Sequence, residues 1–185
     1  MRVMFLVGMP GSGKSTLAKL ITERIQQLKP KWECRCVEMS DVVKGWLEEA
    51  KNNNNIWATR LKNKRLQELL YKRIKGDFCV VSGVREQWII NEWKTTKVVI
   101  FLNVEKSVRK KRYQRLKKDK KYFRGCFGVA ELRAEQMKVP EMIRYATVVI
   151  YSQGLVPSDT AEDIIRSAFN YDLTHFIQGE VEEPK

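Results

Sequence analysis

Histidine is almost missing from this chain: His175 is the only one among 185 residues. It stands outside every motif discussed below, so chemistry built on imidazole is set aside. Cysteine is sparse and poorly spaced for a metal. Cys34, Cys36, Cys79 and Cys126 contain no CxxC pair, which argues against a structural zinc site. Cys79 lies within an apolar run and reads as a buried free thiol. No apolar stretch approaches the ~20 residues that a membrane span needs. Met1-Arg2-Val3 leads straight into an apolar run, so a signal peptide is not expected and the cytoplasm is the expected compartment. No internal repeat is present, and the one low-complexity stretch, Asn52–Asn55, reads as an exposed loop. Acidic residues are also short: 22 Asp and Glu against 35 Lys and Arg leave a net charge of +13. Such an excess points to polyanionic partners, nucleotide phosphates first and nucleic acid second.

Against these absences stands one contiguous signal. Gly8-Met9-Pro10-Gly11-Ser12-Gly13-Lys14-Ser15 matches GxxxxGK[ST] without interruption. An apolar run, 3–7, precedes it and suits a buried strand. After it, Leu17, Ala18, Leu20, Ile21, Ile25 and Leu28 recur at helical spacing until Pro30. Strand, glycine loop and helix form the context in which backbone N–H groups and a helix N-terminus bind phosphate together. Gly8, Pro10, Gly11, Ser12, Gly13, Lys14, Ser15 and Thr16 are therefore the expected nucleotide-contacting residues. Lys14 is expected to reach the β- and γ-phosphates, and the Ser15 hydroxyl to ligate Mg²⁺. ATP and Mg²⁺ are the expected cofactors.

Five strand candidates, at 3–7, 35–39, 78–81, 98–102 and 147–151, alternate with helical stretches at about 14–28, 42–50, 58–75, 86–94, 104–118, 129–144 and 159–170. Alternation of this kind predicts an α/β fold with a parallel sheet and helices on both faces. Ligands of such sheets bind beyond the carboxyl ends of the strands. The loop at Gly8–Ser15, Ser40-Asp41, Ser82-Gly83-Val84-Arg85, Asn103 and Ser152-Gln153-Gly154 should thus line one crevice.

Taken in order, the phosphate loop, Met39-Ser40-Asp41-Val42-Val43, Gly83-Val84-Arg85, Arg133-Ala134-Glu135 and Val148–Gly154 resemble the archaeal dephospho-CoA-kinase-related, adenylate-kinase-like proteins. These form a branch of the nucleoside monophosphate kinase superfamily. The resemblance implies a single P-loop NTPase domain with a five-stranded parallel sheet. Its core would comprise 1–40, 76–108 and 134–177, with a small acceptor-binding insert at about 41–75, a basic lid at about 109–133 and an acidic tail at 178–185. It also implies an ATP-dependent phosphotransferase acting on a nucleotide or nucleotide-like, phosphate-bearing acceptor. Lys14, Asp41, Arg85, Arg124 and Arg133 would be catalytic, while Arg109, Arg112 and Gly154 would join the nucleotide contacts.

Residues 108–124 carry ten Lys or Arg and one acidic residue, a charge density that phosphate oxygens would relieve. Asp41 has two readings, a helix N-cap or the group that takes the acceptor's proton or holds acceptor and Mg²⁺ water in place. Trp46 and Trp57 flank the insert and read as core residues or as a stacking surface for a base, whereas Trp88 and Trp93 read as packing. One departure from the family pattern stands out. Where the third strand usually ends in Asp-Gly-Val-Arg, with the carboxylate that orders Mg²⁺, this chain has Ser82-Gly83-Val84-Arg85. Two further readings follow from charge and from Ser82: a kinase or ATPase directed at nucleic acid, such as a polynucleotide 5′-hydroxyl kinase, or a nucleotide-binding regulator without catalysis.

Overall fold

A computed structural model describes residues 1–51, 59–118, 126–153 and 156–168. Five parallel strands, β1 (Arg2–Gly8), β2 (Cys34–Glu38), β3 (Phe78–Ser82), β4 (Lys97–Asn103) and β5 (Val148–Tyr151), lie in the order β2-β3-β1-β4-β5. Helices interleave with them: α1 (Lys14–Leu28), α2 (Met39–Lys51), α3 (Thr59–Arg73), α4 (Gln87–Asn91), α5 (Lys106–Lys118), α6 (Phe127–Gln136) and α7 (Pro157–Ala168). A 3-10 helix spans Val139–Tyr145. The expected α/β fold with a five-stranded parallel sheet and helices on both faces is the observed one.

Central strands of a parallel sheet are covered on both faces and read as continuous apolar runs. β1 shows this directly, with Val3 to Val7 all buried. Side chains alternate between two cores. Met4, Leu6, Phe78, Val80, Ile100 and Leu102 meet α1 and α7. Val3, Phe5, Val7, Cys79, Val81 and Val99 meet α2, α3, α4 and the 3-10 helix on the opposite face. Phe5, Trp93 and Tyr71 close that second core, with Tyr71 stacked on Trp93 at 4.5 Å between ring centroids and Phe5 edge-on to it at 5.5 Å. β2 is an edge strand.

Three boundaries differ from the sequence reading. α2 starts at Met39, directly after the last residue of β2, so Asp41 is the third residue of the helix rather than its cap. Met39, Val42 and Trp46 explain the early start, since they form one buried stripe at helical spacing. The helix expected over 129–144 is two elements. α6 stops at Gln136, Lys138 takes a left-handed φ of 56°, and Pro140 opens the 3-10 turn. A proline lacks the N–H an α-helix would need there and restricts the residue before it. The helix expected at 86–94 is a short turn over Gln87–Asn91.

Candidate active site

The loop after β1 is held in shape by its own atoms and by a neighbour from far along the chain. Lys14 Nζ donates to Gly8 O at 2.7 Å, Met9 O at 2.8 Å and Ser12 Oγ at 3.0 Å. Ser12 N–H donates back to Met9 O at 3.2 Å. Gly13 sits in the left-handed region at φ 93° immediately before α1, and no side chain caps that helix. Its first N–H groups and the positive end of its dipole are thereby left for an anion. Gly11 also has a positive φ, 79°, and a Cβ there would lie 2.5 Å from Arg109 O. Only glycine fits.

Arg109 supplies the floor beneath this loop. It is buried on α5, where Nε donates to Val104 O at 2.9 Å and Nη1 to Pro10 O at 3.3 Å. Its Nη2 pairs with Glu131 Oε1 at 2.7 Å, and Lys106 Nζ reaches the other carboxylate oxygen at 3.0 Å. Those two cations hold the Glu131 carboxyl below the usual range against the opposing effect of burial, the largest influence on it. Arg109 is thus committed to the loop's backbone and to α6. One turn on, Arg112 reaches Ser12 O at 3.4 Å and Ser152 O at 3.2 Å, beside Gly13 and the end of β5.

Burial lowers the Lys14 pKa to about 7; the nearby guanidiniums of Arg85 and Arg109 push in the same direction, and Glu38 opposes them. Arg85, two residues past the positive-φ Gly83, has its own pKa lowered by burial and by Arg133. Arg85 is therefore an electrostatic neighbour of Lys14 and of Arg133, although Arg85 and Arg133 lie 48 residues apart in sequence. Cations crowded this way, in a place short of negative charge, favour a polyanion.

The flank beyond β2 looks different. Asp41 is exposed and pairs with Lys44 at 3.2 Å. It lines a cleft of about 540 Å³ with Glu38, Arg35, Lys72, Arg73 and Lys75. Trp46 is buried among Met39, Val42 and α3, so the stacking reading fails for it. Trp57, Arg124 and Gly154 lie outside the described residues, as do Asn52–Asn55 and His175. Ser15 and Thr16 are exposed in the first turn of α1.

Two residues escaped the sequence reading. Glu131 could not have been found, because its partner Arg109 is 22 residues away on another helix. Glu38 left a faint signal in strand alternation: Cys34 and Cys36 pack toward α1 while Val37 packs to the opposite side, so Glu38 shares the α1 side. Register then places it opposite Ser82. Ser82 is buried, and its Oγ has no hydrogen-bond partner among the described residues.

A five-stranded parallel sheet in this order, a glycine loop running into α1 and a basic flank define a P-loop, kinase-like NTPase fold. Residues 4–138 match the model of the AAA domain family, and the chain belongs to that family. No curated protein matches it significantly by sequence. Among solved structures it is similar to shikimate kinase from Aquifex aeolicus, with a TM-score of 0.60, 14% identity and coverage of 94% of this chain and 99% of that one. Shikimate kinase from Acinetobacter baumannii in complex with shikimate is comparable, at TM-score 0.57, 14% identity and coverage of 97% and 95%. APS kinase CysC from Mycobacterium tuberculosis, in complex with AMPPNP and APS, follows at TM-score 0.51, 12% identity and coverage of 90% and 96%. Among the described residues no helix is long and apolar enough to cross a membrane.

Proposed function

We propose that this protein is an ATP-dependent phosphotransferase of the nucleoside monophosphate kinase type, acting on a nucleotide or nucleotide-like small molecule, with dephospho-CoA-like acceptors included. One observation carries the reading: a glycine loop and an uncapped helix N-terminus lie beyond β1 with Lys14, on which Arg85 acts electrostatically as Arg133 does on Arg85. Phosphoryl transfer asks the protein mainly for positioning and charge neutralisation. The loop N–H groups and Lys14 hold the β- and γ-phosphates. Arg85 and Arg133 neutralise charge on the transferring group, and Arg124 belongs to the same lid. Arg112 and Gly154 border the nucleotide, while Arg109 supports the loop from below. Asp41 takes the acceptor hydroxyl's proton from its side of the crevice. Residues 41–75 form the acceptor insert and about 109–133 the lid.

The donors suit Mg²⁺, a hard cation that prefers oxygen. Ser15 Oγ would hold it, and the unpartnered Ser82 Oγ faces the same side of the sheet. Bound there with the triphosphate, Mg²⁺ supplies charge neutralisation between phosphates. Four free cysteines among the described residues fit a reducing compartment, and we assign the protein to the cytoplasm.

The test is a screen with labelled ATP and a panel of nucleoside monophosphates, dephospho-CoA and 5′-hydroxyl oligonucleotides. Label in a small-molecule acceptor is the expected result. The basic cleft of Arg35, Lys72, Arg73 and Lys75 favours a second reading, transfer to a polynucleotide. Under it, oligonucleotide binding should fall steeply with salt as counterions are released. Tight nucleotide binding with no transfer to any acceptor would instead leave a regulator.

A further inference from the structure

The strand that usually carries the Mg²⁺-ordering carboxylate ends here in a serine, and the geometry points to a replacement on the neighbouring strand. We propose that Glu38, at the carboxyl end of β2, is the carboxylate that orders the water shell of the nucleotide-bound divalent cation, with Ser82 Oγ as its hydroxyl companion. The proposal rests on the nucleotide-binding reading above.

Four observations support it. First, Glu38 and Ser82 are register partners, and Ser82 is in turn the partner of Leu6 on β1, two residues before the loop begins at Gly8. Glu38 therefore stands two strands from β1 at the level of Leu6, two residues short of the loop. Secondly, alternation sends both side chains to the α1 side: Cys34, Cys36, Phe78 and Val80 pack there, and Glu38 and Ser82 continue the same parity. α1 begins on that side with Lys14 and Ser15. Thirdly, Glu38 acts electrostatically on Lys14, which places its charge within reach of the phosphate loop. Finally, Ser82 Oγ is a buried hydroxyl without a partner among the described residues. Leaving such a group unsatisfied costs about 1–3 kcal/mol, and a metal-bound water beside Glu38 would satisfy it.

Glutamate suits the longer reach. From an edge strand, one extra methylene brings the carboxylate closer to the loop than aspartate would. A single carboxylate is also sufficient, because Mg²⁺ at a triphosphate keeps several waters and takes few protein ligands. That agrees with the lack, among the described residues, of any group of three His, Cys, Asp or Glu able to hold a metal unaided. Asp41, exposed and paired with Lys44, is left for the acceptor.

The test measures binding, not turnover. ADP affinity is titrated calorimetrically with excess EDTA and then across a Mg²⁺ series, for the parent chain and for Glu38→Gln, Asp41→Asn, Ser82→Asp and the double variant Glu38→Gln/Ser82→Asp. Outer-shell partners of a metal are worth roughly 10–100-fold in affinity. Glu38→Gln should raise the Mg²⁺ concentration for half-maximal effect by that factor, with ADP affinity in EDTA retained or improved. Asp41→Asn should leave the Mg²⁺ series unchanged. The double variant should recover Mg²⁺ dependence, because a carboxylate returns one strand over. Mn²⁺ bound with ADP, followed by electron paramagnetic resonance, should report the same order of affinities. An equal change with and without Mg²⁺ in Glu38→Gln would overturn the proposal, since Glu38 would then only offset the Lys14 charge. So would an unchanged Mg²⁺ series. If Glu38→Gln fails to fold, Glu38→Asp decides: weakened Mg²⁺ dependence at parental EDTA affinity supports the metal role, and parental behaviour in both removes it. A parent chain that binds no ADP at all defeats the underlying nucleotide reading, and this inference with it.

Discussion

The carboxyl ends of β1 and β2 lie two strands apart, yet they are built on opposite principles. Beyond β1 the loop is tied down. Lys14 has three acceptors, Gly11 is pressed against Arg109, and Arg109 is sealed by Glu131. Beyond β2 the cleft residues are looser: Asp41 is exposed, pairs with Lys44 at 3.2 Å, and lines an open cleft of mixed charge. Phosphates are alike in every nucleoside triphosphate, so a rigid receptor can be prepared in advance. Beyond β2 no such receptor is prepared, and the cleft there is the more adjustable of the two.

The sharpest way to break this contrast is to unseat the loop from beneath. Glu131→Ala leaves Arg109 buried without its carboxylate, which should cost about 3–5 kcal/mol. Urea unfolding measures it. A loss below 1 kcal/mol would mean that the donor side is no more constrained than the acceptor side. Lys14→Ala comes next. Two lost charge-assisted hydrogen bonds to phosphate, at about 1.5–3 kcal/mol each, imply a fall in ATP affinity of at least roughly 100-fold with the melting temperature preserved. Parental affinity in calorimetry would remove the basis of the phosphate-loop reading.

Asp41→Asn probes the loose side. The helix keeps its start, because Met39, Val42 and Trp46 set it, and an exposed ion pair contributes little. Phosphoryl transfer should still fall by about 100-fold, the low end for a positioned base. Normal transfer would shift the acceptor's proton to another group.

The smallest effect is set by pH. In the ligand-free protein Lys14 titrates near 7, far below an unfolded lysine, so the unfolded chain binds more protons between about pH 7 and 10.5. Folding stability from this group therefore rises with pH across that window and is lost as pH falls toward 7. Nucleotide binding runs the other way. A triphosphate restores the ammonium, so binding above pH 7 takes up a proton and affinity declines by at most about tenfold per pH unit. Calorimetry in two buffers of different ionisation enthalpy counts that proton. No uptake at pH 8 would show that Lys14 is already charged without ligand.

The same contrast explains what was legible beforehand. The phosphate loop could be read because its residues are consecutive and the backbone performs the binding. Strand positions were legible for a similar reason, since apolar runs such as 3–7 and 98–102 leave few alternatives. Arg109 was read as a phosphate ligand because nothing in its neighbourhood announces Glu131, which approaches only in three dimensions. Asp41 carried a cap reading beside the catalytic one because its residue type suits a cap, while the buried stripe from Met39 had already begun the helix. Ser82 was recognisable as a substitution, but its neighbour Glu38 became visible only once parallel pairing set the two strands in register.

The direct passage of β2 into α2 has a consequence of its own. Glu38 and Met39 are consecutive, with no turn between sheet and helix to absorb slack. A residue inserted at that joint would turn Glu38 or the Met39–Val42–Trp46 stripe to the wrong side, because side-chain direction alternates residue by residue. Length variation among relatives should consequently be forbidden at this seam. The seam is also a rigid lever: any ligand that tilts α2 moves the end of β2 with it, through one hinge-free piece of backbone.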